Sequence, residues 1–154
     1  MANVCLIDMI LTLESESEAC QLYTDLLHRT GDATQRGEGV WTGSERYLFD
    51  AILNKSQNIV MISGWVKWGY STEEIITLLK FINEISVIKI AQICYKENSN
   101  LLMGEYIYDG KMLLQKFLPH EKFPQDNGRD DFETSIKSIY STHQLIYIIG
   151  EVEL

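Results

Sequence analysis

The stretch that decides the fold spans residues 58–95 and falls into three pieces, NIVMISGWVKW (58–68), STEEIITLLKFINE (71–84) and VIKIAQICY (87–95). The first and last pieces are rich in β-branched and aromatic residues, which favour strands. In the middle piece, Ser71 and Glu74 form a capping-box pattern, and apolar residues follow at helical spacing. The stretch therefore predicts strand, helix and strand at the centre of one α+β core. Its predicted core positions are Val60, Ile62, Ile75, Leu79, Ile88 and Ile90.

Upstream of this stretch the sequence predicts two more strands and a helix. Residues 3–13 (NVCLIDMILTL) and 46–53 (RYLFDAIL) are the strands, although the propensities of the second would also permit a short helix. The first of them is mostly apolar, which is typical of a central strand. Ser15 and Glu18 repeat the capping-box spacing before a helical apolar stripe. We expect this helix to end at Gly31, because glycine is common just past a helix C-terminus, and residues 31–44 to form a loop.

Downstream, residues 101–108 (LLMGEYIY) and 111–118 (KMLLQKFL) flank Asp109-Gly110, which predicts a hairpin with a type I′ turn. A polar connection over residues 119–131 follows. Phe132 then begins an apolar pattern that predicts a third helix, capped by Asp130 or Asp131, and residues 144–152 (QLIYIIGEV) predict a last strand.

The predicted element order, β-α-β-β-α-β followed by β-β-α-β, indicates a fold class. The first six elements have the order of the ferredoxin-like split βαβ unit. We therefore expect an α+β protein with a ferredoxin-like βαββαβ core and a C-terminal ββαβ extension, forming an antiparallel sheet with the helices packed on one face. The length of 154 residues suits one domain, residues 1–154.

The charge of the chain limits the partners it can take. There are 22 acidic and 13 basic side chains, which gives a formal net charge of -9. Such a surface repels the phosphates of nucleic acids and anionic membranes, so we expect neither to bind directly. A basic protein surface is favoured instead, and basic surfaces often belong to proteins that bind nucleic acid, such as nucleases.

The residues that carry chemistry show no site-like spacing. Cys5, Cys20 and Cys94 are odd in number and lie among apolar neighbours, which predicts buried thiols in a reducing compartment. The N-terminus lacks the pattern of a signal peptide, so we expect a cytoplasmic protein. His28, His120 and His143 lack the paired spacing of zinc ligands. The sequence therefore predicts no catalytic residue, no cofactor and no metal site.

A short set of motifs resembles a known family. Trp65, Lys67 and Trp68 at a strand end are followed by an acidic-capped helix, a β-branched strand and the pattern Gly-x-Tyr-x-Tyr-Asp-Gly at residues 104–110. Over residues 58–118 this arrangement is similar to the Api92/YubB ferredoxin-like group of phage and plasmid proteins. The resemblance implies a mobile-element protein of ferredoxin-like fold, and it implies no catalytic residue.

Acidity, small size and the resemblance favour a non-enzymatic binding protein that inhibits a basic partner, such as an anti-CRISPR or anti-restriction protein. An immunity protein that neutralises a nuclease toxin is an alternative, and a small-ligand sensor or enzyme is another. We expect acidic side chains to speed association and aromatic side chains to anchor the complex. Trp41 is either such an exposed anchor or a cover over the core. The predicted partner-binding residues are Glu14, Glu16, Glu18, Trp41, Tyr47, Asp126, Asp130 and Asp131.

Overall fold

A computed structural model describes residues 4–36, 46–67, 71–97, 102–122 and 132–154. Over these residues the chain forms strands, α-helices and two short 3₁₀ turns, at Lys55–Gln57 and His120–Lys122. The strands are β1 (Val4–Leu13), β2 (Arg46–Asn54), β3 (Ile59–Lys67), β4 (Ile88–Glu97), β5 (Leu102–Tyr108), β6 (Met112–Phe117) and β7 (Leu145–Glu151). The helices are α1 (Glu16–Arg36), α2 (Thr72–Ile85) and α3 (Phe132–His143).

The strands form one seven-stranded sheet in the order β2-β3-β1-β4-β5-β6-β7. Every neighbouring pair in this order is antiparallel. The predicted α+β class and antiparallel sheet are therefore confirmed. β1 lies between β3 and β4, as its apolar sequence predicts, and β5, β6 and β7 extend the same sheet.

The start of α2 shows the predicted capping box. The backbone N–H of Glu74 donates to Ser71 Oγ at 3.2 Å, and the backbone N–H of Ser71 donates to Glu74 Oε2 at 2.8 Å. These two bonds satisfy donors that have no partner inside the helix. The helix then buries Ile75, Leu78, Leu79 and Ile82 along one stripe.

The predicted end of α1 at Gly31 is wrong, because the helix continues to Arg36. A glycine inside a helix costs about 1 kcal/mol relative to alanine, which weakens a helix without necessarily ending it. The residues after Gly31 include Ala33, Gln35 and Arg36, which favour helix and extend it. The glycine-rich segment that follows, residues 37–45, lies outside the described residues.

The hairpin between β5 and β6 is present, but its turn differs from the type I′ prediction. The backbone N–H of Asp109 donates to the carbonyl of Met112 at 3.2 Å, which leaves Gly110 and Lys111 as the central residues. Gly110 has a φ of 101°, whereas Lys111 is not among the described residues with positive φ. That combination is typical of a type II′ turn. Asp109 supports the turn, since its carboxylate accepts the backbone N–H groups of Lys111 and Met112.

The core lies between one face of the sheet and the helices α1 and α2. Alternate side chains of β1, namely Ile7, Met9 and Leu11, are buried there against Leu22 of α1 and Leu79 of α2. The predicted core positions that are confirmed are Val60, Ile62, Ile75, Leu79 and Ile88.

The core prediction for Ile90 is wrong, since this side chain is exposed. Leu13 of β1 pairs with Ile88, whereas Thr12 pairs with Ile90, so Lys89 is an extra residue in β4. Such a β-bulge interrupts the alternation of faces. Ile88 therefore points into the core, Ile90 points to the opposite face, and the core pattern resumes at Ala91.

The expectation that all helices pack on one face is wrong for α3. On β5, Gly104 and Tyr106 lie on the face covered by α1 and α2, and Met103 alternates with them onto the other face. Ile139 and Tyr140 of α3 pack with Met103 and Leu118. An apolar stripe specifies which side of a helix is buried, but it does not specify which face of the sheet the helix covers.

Candidate functional site

The predicted partner-binding residues are only partly described. Glu14 and Glu16 are exposed next to the start of α1, as a steering charge requires. Tyr47 lies on β2, but its side chain is outside the description. Trp41, Asp126, Asp130 and Asp131 lie outside the described residues.

Glu18 makes hydrogen bonds within the chain through both its backbone and its carboxylate. The backbone N–H of Val87 donates to Glu18 Oε1 at 3.3 Å, and the Ser86 hydroxyl donates to the carbonyl oxygen of Glu18 at 2.9 Å. Ser15 Oγ accepts the backbone N–H of Glu18 at 3.2 Å, so the N-cap bond of the predicted capping box is present. Its carboxylate, however, bonds to the segment that joins α2 to β4. Glu18 therefore links α1 by hydrogen bonds to the residues that immediately precede β4.

The face of the sheet opposite α1 and α2, here called the open face, exposes a cluster of apolar side chains. On β1 the side chains Leu6, Asp8 and Ile10 alternate with the buried ones. Ile10 lies opposite Met61 of β3, and Met61 lies opposite Ile52 of β2, so the apolar side chains adjoin across three strands. Their exposed fractions lie between 37% and 56%. This cluster, the open-face patch, comprises Leu6, Ile10, Ile52, Met61 and Ile90.

A groove of about 380 Å³ lies beside the patch, between the open face and α3. Asp8, Cys94 and Glu105 are direct cross-strand neighbours on β1, β4 and β5. Adjacent strands are about 4.8 Å apart, so the backbones of Asp8 and Glu105 are separated by roughly 10 Å. Side chains that line the groove include Leu6, Asp8, Cys94, Lys96, Glu105 and Tyr140. With Lys137 also in its wall, the groove contains both carboxylates and ammonium groups.

The carboxylates of the groove are held by neighbouring side chains. Ser63 Oγ donates to Asp8 Oδ1 at 2.7 Å, and Gln92 Nε2 donates to Glu105 Oε2 at 2.6 Å. The hydroxyl of Tyr140 donates to the carbonyl oxygen of Lys116 at 3.4 Å. Burial, followed by the negative charge of Glu105, raises the pKa of Tyr140 well above its ordinary value. Tyr140 is therefore a neutral hydrogen-bonding group near the wall of the groove.

Cys94 lies between the two carboxylate-bearing strands, and its environment suppresses its reactivity. Burial raises the pKa of this thiol to about 11, and the charges of Glu105 and Asp8 act in the same direction. The thiolate is the nucleophilic form of cysteine. Cys94 is thus unsuited to nucleophilic catalysis at neutral pH.

Alkylation of Cys94 by iodoacetamide at pH 8 is expected to be about 100-fold slower than that of an unperturbed cysteine, because so little of the thiol is ionised. The rate should rise roughly tenfold per pH unit up to the raised pKa. Peptide mass spectrometry of the labelled protein measures this rate, and denatured protein serves as the control. Rapid labelling of Cys94 in the folded protein at pH 8 would contradict the raised pKa of this thiol.

A second cavity, of about 680 Å³, lies between the end of α2, the β5–β6 hairpin and the C-terminal residues. Lys111 and Glu151 form an ion pair of 3.0 Å at its rim, and both side chains are largely exposed. Exposed pairs of this kind stabilise a protein by about 0–1 kcal/mol. The ion pair therefore contributes little to the packing of the β5–β6 hairpin against β7.

The described parts of the chain contain no group of three His, Cys, Asp or Glu side chains arranged to hold a metal ion. None of the described helices is long and apolar enough to cross a bilayer. Comparisons with protein-family models, curated proteins and solved structures give no match to this chain. The similarity to the Api92/YubB group therefore stays a prediction.

Sequence reasoning missed the open face, although β1 contains its signal. The predicted site was assembled from acidic clusters and from aromatic residues near a glycine-rich segment. In residues 3–13, Leu6, Asp8, Ile10 and Thr12 share one face of the strand, and two of these four are polar. That mixture is typical of a face that meets water or a partner.

Proposed function

We propose that the protein is a non-enzymatic binding protein that inhibits a basic protein partner, which docks on the open face of the sheet. The open-face patch is the observation that carries this proposal. Contiguous exposed apolar surface is characteristic of interaction sites. Ile10, Met61 and Ile52 supply such a surface. The hydrogen-bonded pair Asp8 and Ser63 lies between it and Leu6.

Charge complementarity supports a basic partner. The net charge of -9 attracts a positively charged protein and repels nucleic acid. Long-range attraction raises the rate of association, whereas apolar contacts in the centre of an interface slow dissociation. We therefore assign steering to exposed carboxylates such as Glu14 and Glu16, and residence time to the open-face patch.

The biological role that we propose is that of a phage or mobile-element inhibitor of a defence complex, such as an anti-CRISPR or anti-restriction protein. Defence complexes and nucleases present basic surfaces for nucleic acid, and an acidic protein can occupy such a surface. An immunity protein that neutralises a nuclease toxin has the same physical requirements. We also propose that β1 to β4 with α1 and α2 form a ferredoxin-like unit, which the strand order β2-β3-β1-β4 supports.

A photo-crosslinking amino acid at Ile10 tests where the partner docks. In cells of the native host, it should capture a basic protein, whereas the same amino acid at Thr77, on the exposed side of α2, should not. Tryptic mass spectrometry identifies the protein and the crosslinked peptide. Capture from Thr77 but not from Ile10 would refute docking on the open face.

Binding kinetics on the captured partner separate the contribution of the open-face patch to dissociation from the contribution of the exposed carboxylates to association. The double variant Leu6→Ser, Ile10→Ser should speed dissociation by at least about tenfold, which corresponds to about 1.4 kcal/mol. Val87→Ser is the matched control, because Val87 is 46% exposed but belongs to the turn between α2 and β4. Raising the salt from about 50 to about 500 mM should slow association with little effect on dissociation.

Glu16→Lys should also slow association, and by more than Glu84→Lys, which makes the same change of net charge on α2. An association rate that ignores both salt and these reversals would remove the electrostatic part of the proposal. A dissociation rate unchanged by the Leu6 and Ile10 substitutions would remove the open-face part.

The groove supports a second candidate, a sensor or enzyme for a small molecule. Its volume of about 380 Å³ lies within the range of small-molecule sites. Carboxylates and ammonium groups line it together, which suits a ligand that carries both charges. Under this alternative, Tyr140→Phe and Lys137→Ala would abolish ligand binding, whereas Ile10→Ser, on the open face outside the groove, would have less effect on it.

A further inference from the structure

In the sheet formed by the described residues, β2 and β7 are the edge strands. β7 exposes four large apolar side chains in succession, Leu145, Ile146, Tyr147 and Ile148, with exposed fractions between 49% and 68%. An edge strand also presents backbone N–H and C=O groups on its outer side that no neighbouring strand pairs. β7 thus combines apolar side chains with an available backbone edge.

The exposed side chains lie on both faces of the sheet. Leu145 and Tyr147 lie opposite Phe117 and Gln115 of β6, and Ile146 lies opposite Lys116 on the other face. A partner that rested on one face would cover only half of them. A strand added along the edge contacts both sets at once, because each side chain packs beside its cross-strand neighbour.

Over residues 145–148, β7 lacks the devices that keep natural edge strands from pairing, such as inserted charges, proline or a bulge. Its bulge at Ile149 and its charged Glu151 come only at the C-terminal end. From Gln144 to Gly150 the sequence contains no charged residue and no proline, and the register shift in β7 comes only after Ile148. β2, the other edge strand, contains Arg46 and Asp50, and its register shifts between Leu48 and Asp50. The edge strand β2 is therefore protected against pairing with another strand, whereas residues 145–148 of β7 are not.

We propose that β7 pairs antiparallel with β7 of a second copy of the chain, so that the two sheets become continuous. The segment is complementary to itself, since a twofold axis near Tyr147 places apolar side chains opposite apolar side chains and leaves no charge unpaired. The net charge of -9 opposes self-association, but it is carried outside this uncharged segment. A basic partner, in contrast, finds no carboxylate between Gln144 and Gly150 to attract it.

The area available matches that of a small but specific interface. A fully exposed large side chain offers on the order of 150–250 Å², so the four partly exposed ones provide roughly 500 Å² per copy. The pair of edges therefore buries at most about 1,000 Å², which is near the lower limit for a specific interface. We expect a reversible dimer. This inference does not depend on the proposed function.

Sedimentation velocity over about 1 to 200 μM protein tests the proposal, since a reversible dimer forms by mass action. Wild type should approach twice the chain mass of 17.7 kDa at the upper concentrations. The double variant Ile146→Lys, Ile148→Lys should stay monomeric there with an unchanged circular dichroism spectrum. It reduces the net negative charge, so stronger repulsion between the net charges of the copies cannot account for the loss, whereas lysines placed opposite each other in the paired strands can.

Ile52→Lys with Met61→Lys is the matched control, because it makes the same charge change at exposed apolar side chains on the open face. This control should dimerise like wild type. Hydrogen exchange of wild type gives a second measurement that needs no variant: within residues 145–148, the amides that point away from β6 should exchange at least about tenfold more slowly at high than at low concentration. A monomeric wild type, a dimeric β7 variant or exchange that ignores concentration would overturn the proposal.

Discussion

Leu79→Ala is expected to lower the free energy of unfolding by about 2 to 5 kcal/mol, the usual cost of truncating a buried leucine. Leu79 is fully buried on α2 between the helix and the central strands, in the same cluster as Ile75 and Ile82. Removing its methyl groups loses their burial and leaves a cavity that close-packed neighbours fill only in part. Small domains are stable by about 5–15 kcal/mol, so this one change removes a large share of the total.

Urea or guanidinium unfolding followed by circular dichroism measures this loss as a shift of the midpoint at constant slope. Lys80→Ala, at the exposed next position of the same helix, is the control and should change stability by less than about 0.5 kcal/mol. Ile90→Ala should also cost much less than Leu79→Ala, because the bulge at Lys89 turns Ile90 outward. A small loss for Leu79→Ala would mean that α2 presents a different side to the sheet.

Gly104→Ala is expected to destabilise the protein by about 1 to 3 kcal/mol, as overpacking of a close contact does. An added Cβ would lie 2.5 Å from the carbonyl oxygen of Lys116 and 2.5 Å from the hydroxyl oxygen of Tyr95. At an open position in a strand the same change would stabilise by roughly 0.5–1 kcal/mol, because glycine loses the most backbone freedom on folding. The sign of the measured effect therefore reports the close approach directly.

A double-mutant cycle with Tyr95→Phe removes the clash with the hydroxyl. It keeps the clash with the Lys116 carbonyl and the one with the ring carbon Cζ of residue 95, which lies 2.7 Å from the added Cβ. Tyr95→Phe alone removes the hydroxyl that accepts the Gln115 side-chain amide at 2.7 Å. In the double variant, Gly104→Ala should cost less than in wild type, yet still destabilise, because the Lys116 carbonyl belongs to the β5–β6 ladder and cannot move independently. If Gly104→Ala were neutral or stabilising in thermal and denaturant unfolding, the β5–β6 ladder would have to yield easily.

The class of the fold and the identity of its elements could be predicted because local signals are strong. Ser71 with Glu74 marks the start of α2, and the β-branched stretches around it mark β3 and β4. The face of Ile90 could not be predicted, since the extra residue at Lys89 is visible only in the pairing of β4 with β1. The face that α3 covers is likewise a tertiary property, set by its contacts with Met103 and Leu118.

The sequence predicts the net charge of the chain, but it does not predict where on the fold the open-face patch lies. The excess of acidic residues is a property of composition and indicates a basic partner without structural information. The open-face patch depends on which side of β1 the helices α1 and α2 leave uncovered, and Asp8 and Thr12 are the only polar side chains in residues 4–13 that distinguish the two sides. Glu18 shows a further limit of the sequence, because its position at a helix start does not reveal that its carboxylate accepts the backbone N–H of Val87.

The central place of β1 has a consequence for the order of folding. Val4 pairs with Lys67 on one side, and Leu6 pairs with Lys96 on the other, so both ladders of β1 form only after the intervening residues, roughly 60 to 90 of them, have been brought together. Closing such long loops loses chain entropy before any contact compensates for it, which slows folding. The β5–β6 hairpin closes locally and can form early. We therefore expect the insertion of β1 between β3 and β4 to limit the refolding rate, and substitutions in the β1 ladders to slow refolding more than substitutions in β7 do.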